Sequence, residues 1–461
     1  MLPIWDNKQL GKALNLEIEQ EFIANAVSID SRSIKPGEIF LCLNGERFDG
    51  HDFAQQAVAQ GAVALICSKA MPQLKVAQII VADTYQALLA LAKYKRANVA
   101  AKFIGITGSV GKTSYKETLA KLLQIYGKCY FSSGNFNNHI GLPLCLANLP
   151  EDADYAVFEL GMNHAGEIEF LTKLVEPDLA VITKIASAHI GNFKDIYGIV
   201  AAKAEIFKGL SQNSMVFLNH DDQYYSNLEE IAFQENIRKE QIFTFGQQAE
   251  HLQLESINLV KMQAELNFKL FAKAYQLNTS FLNFEALKVL SSVFLVLAKL
   301  GLDPELAFQE FAKLESLAGR GKVTIETLPV TGEIQIIDET YNSSLVSTKA
   351  ALQLLKLIAQ AKQSRKVAVL GTMLELGDQA LAEHLALKDC LLENKIDQVI
   401  TVGEYMADLA KTLPKEMHIA HFAEVTGHES EIISKFQAGD VVLLKSSNAI
   451  GTKQILEKLR K

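Results

Sequence analysis

Basic residues are nowhere clustered in this 461-residue chain, and acidic residues outnumber them 53 to 45, for a net charge of −8. Without a Lys- or Arg-rich block, nucleic acid and anionic membrane are excluded as main partners. Cysteine is sparse. Cys42, Cys67, Cys129, Cys145 and Cys390 are scattered, odd in number and without CxxC spacing. They read as reduced, mostly buried thiols of a cytoplasmic protein, not as a disulfide frame or a metal site. Long apolar runs are missing: the most apolar helix candidate, Ala286 to Leu300, is short and carries Lys288 and Lys299, so it is expected to be a core helix. Met1 to Asp6 lacks a basic head followed by an apolar core, so no signal peptide is expected. Internal repeats and low-complexity segments are absent as well. What remains is an ordinary globular composition, 49% hydrophobic and 21% charged, long enough for about three domains.

One stretch organises the rest: Gly105-Ile106-Thr107-Gly108-Ser109-Val110-Gly111-Lys112-Thr113-Ser114. An apolar run, Phe103 to Ile106, leads into it, and helix formers follow, which is the strand–loop–helix order of a phosphate-binding loop. Gly108 and Gly111 allow backbone N–H groups of Gly108, Ser109, Val110 and Gly111 close to phosphate oxygens, at the positive end of a helix. Lys112 would reach the terminal phosphates, and a Thr113 or Ser114 hydroxyl would ligate Mg2+. Ile106 stands where the strict pattern has glycine. A helix cap after a tight turn would explain the GKT triplet alone, but not both flanks, so the chain is expected to bind a nucleoside triphosphate.

Taken in order, the chain begins with a small α/β unit, with strands over 26–29, 39–43, 62–67 and 78–81 and helices over 52–60 and 84–97. Two polar loops, Asp30-Ser31-Arg32-Ser33 and Asn44 to Phe53, leave its first two strands and suggest a ligand edge, although solvated turns explain them equally well. Residues 95–102 read as a linker. Beyond the phosphate loop, a strand over 155–160 ends in Glu159, and one over 179–183 opens into Ser187-Ala188-His189. A helix then carries Lys203. Singly, Glu159 could cap a helix, His189 could be a satisfied loop residue and Lys203 a solvated one. Together, Glu159 and His189 follow strands of one parallel sheet, at whose carboxyl ends ligands sit. The last third alternates strands (334–338, 367–370, 399–402, 441–445) with helices, the pattern of a doubly wound parallel sheet.

At this point the motifs resemble the Mur ligase family across the whole chain. Val27 to Phe53 follows VSxDSRxxxPGxxFxAxxGxxxDGHxF with Cys42 at the usual alanine, and TGSVGKT, SGNxNNxxGxP (Ser133 to Pro143), ELGxNHxGEI (Glu159 to Ile168) and KxEIF also fit. GTMLELGD, Gly371 to Asp378, is similar to the GDMLELG of the branch that adds D-alanyl-D-alanine, and the DNPR motif of the branch that adds a diamino acid is absent. The resemblance implies an α/β protein of three domains: a small N-terminal α/β UDP-binding domain (1–98), a central P-loop ATPase-like parallel-sheet domain that binds ATP (99–315) and a C-terminal Rossmann-like domain (316–461). It implies an ATP-dependent ligase, monomeric and cytoplasmic, that uses Mg2+ and joins D-alanyl-D-alanine to UDP-N-acetylmuramoyl-tripeptide through an acyl phosphate.

The implied roles follow residue by residue. Ser31, Arg32, Asn44, Gly45 and His51 would lie near the UDP moiety, with Asn137 and Asn138 facing that substrate. Thr113 and Glu159 would hold one Mg2+ and His189 a second, with Lys203 carbamylated into an anionic metal ligand. Arg320 would approach the γ-phosphate and Asp338 the ribose, while Tyr341, Asn342 and His384 would lie near nucleotide or dipeptide. Three departures bear on this. The adenine-reading HNxxNALAA run is Phe281 to Leu287 here, placing Glu285 or Asn283 at the asparagine; SYNANP becomes Thr340 to Leu345 without its proline; and KGSR becomes Lys445-Ser446-Ser447-Asn448 without its arginine. A folylpolyglutamate synthase would share the central domain but not the DSR and DGHxF loops, and an NTP-binding switch would need only the phosphate loop.

Overall fold

The computed structural model describes residues 3–45, 48–132, 134–187, 190–261, 263–328 and 332–461. Among them the strands form three main sheets and one small ribbon, Trp5–Asp6 against Ile23–Ala24. The N-terminal sheet is parallel, in the order Val27–Ser28, Ile39–Leu41, Ala64–Cys67, Ala77–Ile80. All four residues of Ala64–Cys67 are buried, as an inner parallel strand covered on both faces requires.

Where the sequence suggests a linker over 95–102, the helix Thr84–Asn98 continues instead. Asp83 caps its start, and Leu88, Leu91 and Ala92 are buried along it. Lys95 is fully buried, its ammonium donating to the Ile4 carbonyl at 2.6 Å and pairing with Glu151 at 3.2 Å. The Trp5 indole N–H donates to Ala147 at 2.8 Å, and the Asn148 side chain holds both Val27 N–H and Val27 C=O, at 2.7 and 2.8 Å. The small unit is thus fastened to the helix Gly141–Ala147 by groups that would be costly to leave buried and unpaired.

Among the described residues the central sheet has nine strands. Cys129–Phe131, Tyr155–Glu159, Lys102–Thr107, Leu179–Ile182, Met215–Asn219, Ile242–Gly246 and Leu252–Val260 run parallel in that spatial order. Gln263–Leu270 and Lys273–Thr279 then extend it antiparallel. This last meander is silent in the sequence for a physical reason. Its second hairpin turns on Phe271 and Ala272, both left-handed (φ 47° and 70°), where an Asn-Gly pair would announce such a turn. The expected core helix over 286–300 is two helices, Phe284–Leu290 and Val293–Lys299. Between them the hydroxyls of Ser291 and Ser292 bond back to the Lys288 and Val289 carbonyls, at 3.1 and 2.7 Å, the competition that bends helices.

The C-terminal sheet runs Lys322–Leu328, Gly332–Glu339, Val441–Lys445, Lys366–Gly371, Gln398–Val402, His418–Phe422. Its strands are parallel except the first, an antiparallel edge that the sequence reading does not include. One buried apolar cluster runs from Phe158 and Ile182 in the central sheet to Leu352 and Leu443 beside and within the C-terminal one. The central and C-terminal regions therefore share core. No helix of the described residues is long and apolar enough to cross a membrane.

Candidate active site

The phosphate loop leaves the strand Lys102–Thr107 and enters the helix Lys112–Leu123. Gly108 has φ 140°, and a Cβ there would lie 2.0 Å from the Thr183 hydroxyl, so no other residue fits. The loop is fastened to the exit of the neighbouring strand: Ser109 N–H donates to Lys184 at 2.7 Å, Ser109 Oγ to Ala186 at 2.9 Å, and Thr183 Oγ1 to Val110 at 2.7 Å. Val110, Gly111, Lys112 and Ser114 stay partly open.

Glu159 ends the strand on the other side, in register with Ile106. Its buried carboxylate accepts from the Thr113 hydroxyl and from the Asn137 amide, each at 2.8 Å. These hard oxygen donors suit Mg2+ rather than a soft metal. Lys112 donates to the Gly108 carbonyl at 2.8 Å. Desolvation and, secondarily, the Arg320 charge lower its pKa, against the pull of Glu159. Lys203 is 1% exposed, on the helix Ile196–Ala204. Burial, with Lys112 as a second cause, drives its pKa well below the ordinary value, while Glu159, Glu205 and Glu167 oppose the shift.

A cleft of about 570 Å3 opens between the central and C-terminal sheets, lined by residues 109–114, Asn137, Glu159, Asn283 and Glu285 on one side. Arg320, Tyr341 and Asn342 line the other. Arg320 lies over the Tyr341 ring at 4.2 Å. Asp338 does not line the cleft. It is buried behind it, accepting from Gly319 N–H at 2.8 Å and the Thr340 hydroxyl at 2.7 Å, and so shapes the loop that presents Arg320. Among the adenine candidates, Asn283 spends its oxygen capping the next helix through Ala286 N–H (3.0 Å), and Glu285 pairs with Lys288 at 2.5 Å.

Other expected residues are placed away from this cleft. Asn138 caps the helix Gly141–Ala147 through Gly141 N–H at 2.8 Å. His384 is fully buried, with both ring nitrogens engaged. In the N-terminal unit, Ser31 donates to Gln56 at 3.0 Å and Arg32, exposed, makes a two-pronged pair with Asp30 at 2.9 and 2.8 Å, holding that carboxyl at about 2. Asn44 bridges to Asp49, and Gly45 N–H donates to Phe48 at 2.9 Å. His51 is buried with Nδ1 on Asp49 at 2.5 Å and Nε2 accepting from Ser68 N–H at 2.9 Å, so it supports that loop from beneath. His189 lies outside the described residues, as do Glu46, Arg47 and Ser133 of the motifs.

Lys184, Glu339 and Lys445 line the cleft in addition to the expected site residues, the last two from strand exits already marked by their polarity. Glu339 and Lys445 end neighbouring strands in register, and their buried ion pair spans 3.1 Å. Opposite charges closing two apolar strands were the available signal, but which strands are neighbours is not written locally.

Comparisons with known proteins agree with this geometry. Models described as the Mur ligase family catalytic domain, the Mur ligase middle domain and the Mur ligase glutamate ligase domain match residues 24–106, 106–285 and 325–448. A UDP-N-acetylmuramoyl-tripeptide–D-alanyl-D-alanine ligase of Rickettsia prowazekii is 34% identical over 98% of this chain and 99% of its own length. One of Escherichia coli is 30% identical over 98% and 97%. The crystal structure of MurF from Acinetobacter baumannii superposes with a TM-score of 0.85 at 29% identity, covering 99% of both chains. That of Thermotoga maritima MurF in complex with ADP gives 0.80 at 27% identity, over 95% of this chain and 97% of that one. Fold, cleft and relatives over nearly the full length agree: the chain belongs to the Mur ligase family, in the branch of the MurF enzymes.

Proposed function

We propose that this chain joins the amine of D-alanyl-D-alanine to the peptide carboxylate of UDP-N-acetylmuramoyl-tripeptide, with conversion of ATP to ADP and phosphate. The observation that carries it is the meeting, in one cleft, of a phosphate loop with its Thr113–Glu159 pair and an arginine delivered by a different sheet. In this reading the N-terminal unit (1–98) takes the UDP moiety, the central region (99–315) ATP, and the C-terminal region (316–461) the dipeptide, in a monomeric cytoplasmic enzyme.

A carboxylate is a poor electrophile, so its oxygen first attacks the γ-phosphorus and ADP leaves, giving an acyl phosphate. The backbone N–H groups of Val110 and Gly111 and the Lys112 ammonium orient the phosphates, while the Ser109 N–H stays on the Lys184 carbonyl, and Arg320 faces the charge that spreads over the transferring group. Thr113, Glu159, His189 and a carbamylated Lys203 would hold Mg2+, which when bound neutralises part of that charge. The dipeptide amine then attacks the acyl carbon, loses a proton, and phosphate departs. Closure of the cleft keeps water from the acyl phosphate.

The test is ATP turnover with both partners, each omitted in turn. Amide product that needs all three reactants supports the assignment; ATP hydrolysis indifferent to D-alanyl-D-alanine would overturn it.

A further inference from the structure

The exit of the strand Lys366–Gly371 reaches the central sheet backbone against backbone. Gly191 N–H donates to the Glu375 carbonyl at 3.3 Å. A Cβ on Gly191 would lie 2.9 Å from Gly377 N, and a Cβ on Gly377 would lie 2.9 Å from Gly191 Cα. Each glycine is the seat for the other. Gly191 belongs to the short turn Ile190–Asn192, two residues past His189, while Leu374 and Glu375 line the nucleotide cleft. One loop therefore touches both the cleft and the segment that follows the central strand Leu179–Ile182.

That loop does not hold its own shape. Glu375 and Gly377 are left-handed, at φ 64° and 53°, a conformation that surrounding structure must impose on a glutamate. His384 and Ser447 hold the two residues that lead into it. His384 Nε2 accepts from Met373 N–H at 2.8 Å, and its Nδ1–H donates to the Ala380 carbonyl at 2.6 Å. The ring stacks on Tyr405, 5.3 Å away and tilted by 24°. Ser447 Oγ accepts from Leu374 N–H at 3.0 Å. Fully buried, the imidazole has both nitrogens committed to backbone groups of the protein. Arg320 rides on the same sheet, because Gly319 N–H donates to the Asp338 carboxylate and Gly321 N–H to the Asp338 carbonyl, both at 2.8 Å.

We propose that His384 is a positioning residue: by fixing Met373 to Glu375 it forms the stop, Gly377 against Gly191, at which the C-terminal sheet seats on the central one with Arg320 in reach of the phosphate loop. This rests on the ligase reading above. It assigns the histidine to closure and not to contact with the dipeptide.

Steady-state kinetics of three variants in the full chain test it. His384→Leu keeps the apolar volume and removes both hydrogen bonds; kcat should fall roughly tenfold to hundredfold, as for a reacting group displaced by about 1 Å, with KM for ATP within about twofold. His384→Gln, whose amide oxygen can accept from Met373 N–H, should recover most of the loss. Gly191→Ala approaches the stop from the other side. Gly191 is not left-handed, so alanine fits its own backbone and meets only the opposing loop; it should reproduce the low kcat and unchanged ATP KM at an unaltered Tm. Wild-type kcat in Gly191→Ala would overturn the proposal even if His384→Leu fails to fold. So would a glutamine variant no better than leucine, or a rise in every KM together with a fall in Tm. Absence of amide product from the wild type would instead strike the ligase reading.

Discussion

Thr113 donates its hydroxyl hydrogen to Glu159 at 2.8 Å, tying the first turn of the phosphate-loop helix to the end of the adjacent strand. The hydroxyl that would bind a cation is thereby already turned toward the carboxylate that would share it. A Mg2+ ion at this point would find two hard oxygen donors already side by side.

Glu159→Gln keeps the size and the hydrogen-bonding reach of that group but removes its charge. The Mg2+ concentration for half-maximal turnover should rise at least tenfold, about 1.4 kcal/mol or more, while the thermal midpoint holds. Titration of activity against Mg2+ measures it; an unchanged requirement would place the metal elsewhere.

Lys112→Ala removes the cation of the phosphate loop. Loss of one charged contact to a transferring phosphoryl group costs several kcal/mol, so turnover should drop by roughly 10^2 or more. Circular dichroism should show an intact fold, since among the described residues the Lys112 ammonium makes one hydrogen bond, to the Gly108 carbonyl. Near-normal turnover of the folded variant is the contrary result.

Arg32→Ala should raise KM for the UDP-sugar substrate about tenfold and leave that for ATP alone, the size expected for one charged contact. Arg32 is exposed and prealigned by Asp30, with no part in the nucleotide cleft. Equal shifts in both KM values would move the UDP site to another surface.

Base selection should be less strict than in a site read by one asparagine. Asn283 has only its Nδ2 donors left, and the Glu285 carboxylate accepts, so guanine N–H groups find a partner as well as the adenine amino group. Competition by GTP against ATP measures this. Complete discrimination that disappears in Asn283→Ala would show instead that Asn283 reads adenine alone.

Lys203→Ala should remove most activity, and short carboxylic acids should restore part of it by filling the position of the carbamate. The pH dependence has a definite sign. The folded amine loses its proton well below the ordinary lysine value because burial disfavours the charge, so between the two pKa values the unfolded chain binds a proton that the folded chain does not. In CO2-depleted buffer, stability should therefore rise with pH through that window up to about 10.5 and fall as pH drops, a slope that Lys203→Met flattens. Full activity of Lys203→Ala without added acid would defeat the carbamate.

By itself the sequence determined whatever is encoded over a few adjacent residues. Gly108 and Gly111 between an apolar strand and a helix specify a phosphate loop, because only that local order brings N–H groups, a lysine and a hydroxyl to one point. The apolar runs ending at Glu159 and Ile182 likewise announce parallel strands buried on both faces. Tertiary structure decided what depends on partners far along the chain. That both ring nitrogens of His384 are taken turned on Met373 and Ala380 coming beside them. Whether Lys95 starts a linker or ends a buried helix turned on Ile4 and Glu151, 91 and 56 residues away. Glu339 and Lys445 became a buried pair only when their strands aligned, 106 residues apart. A buried polar group is governed by the partner that satisfies it, and that partner is chosen by the packing of sheets, which no local pattern records.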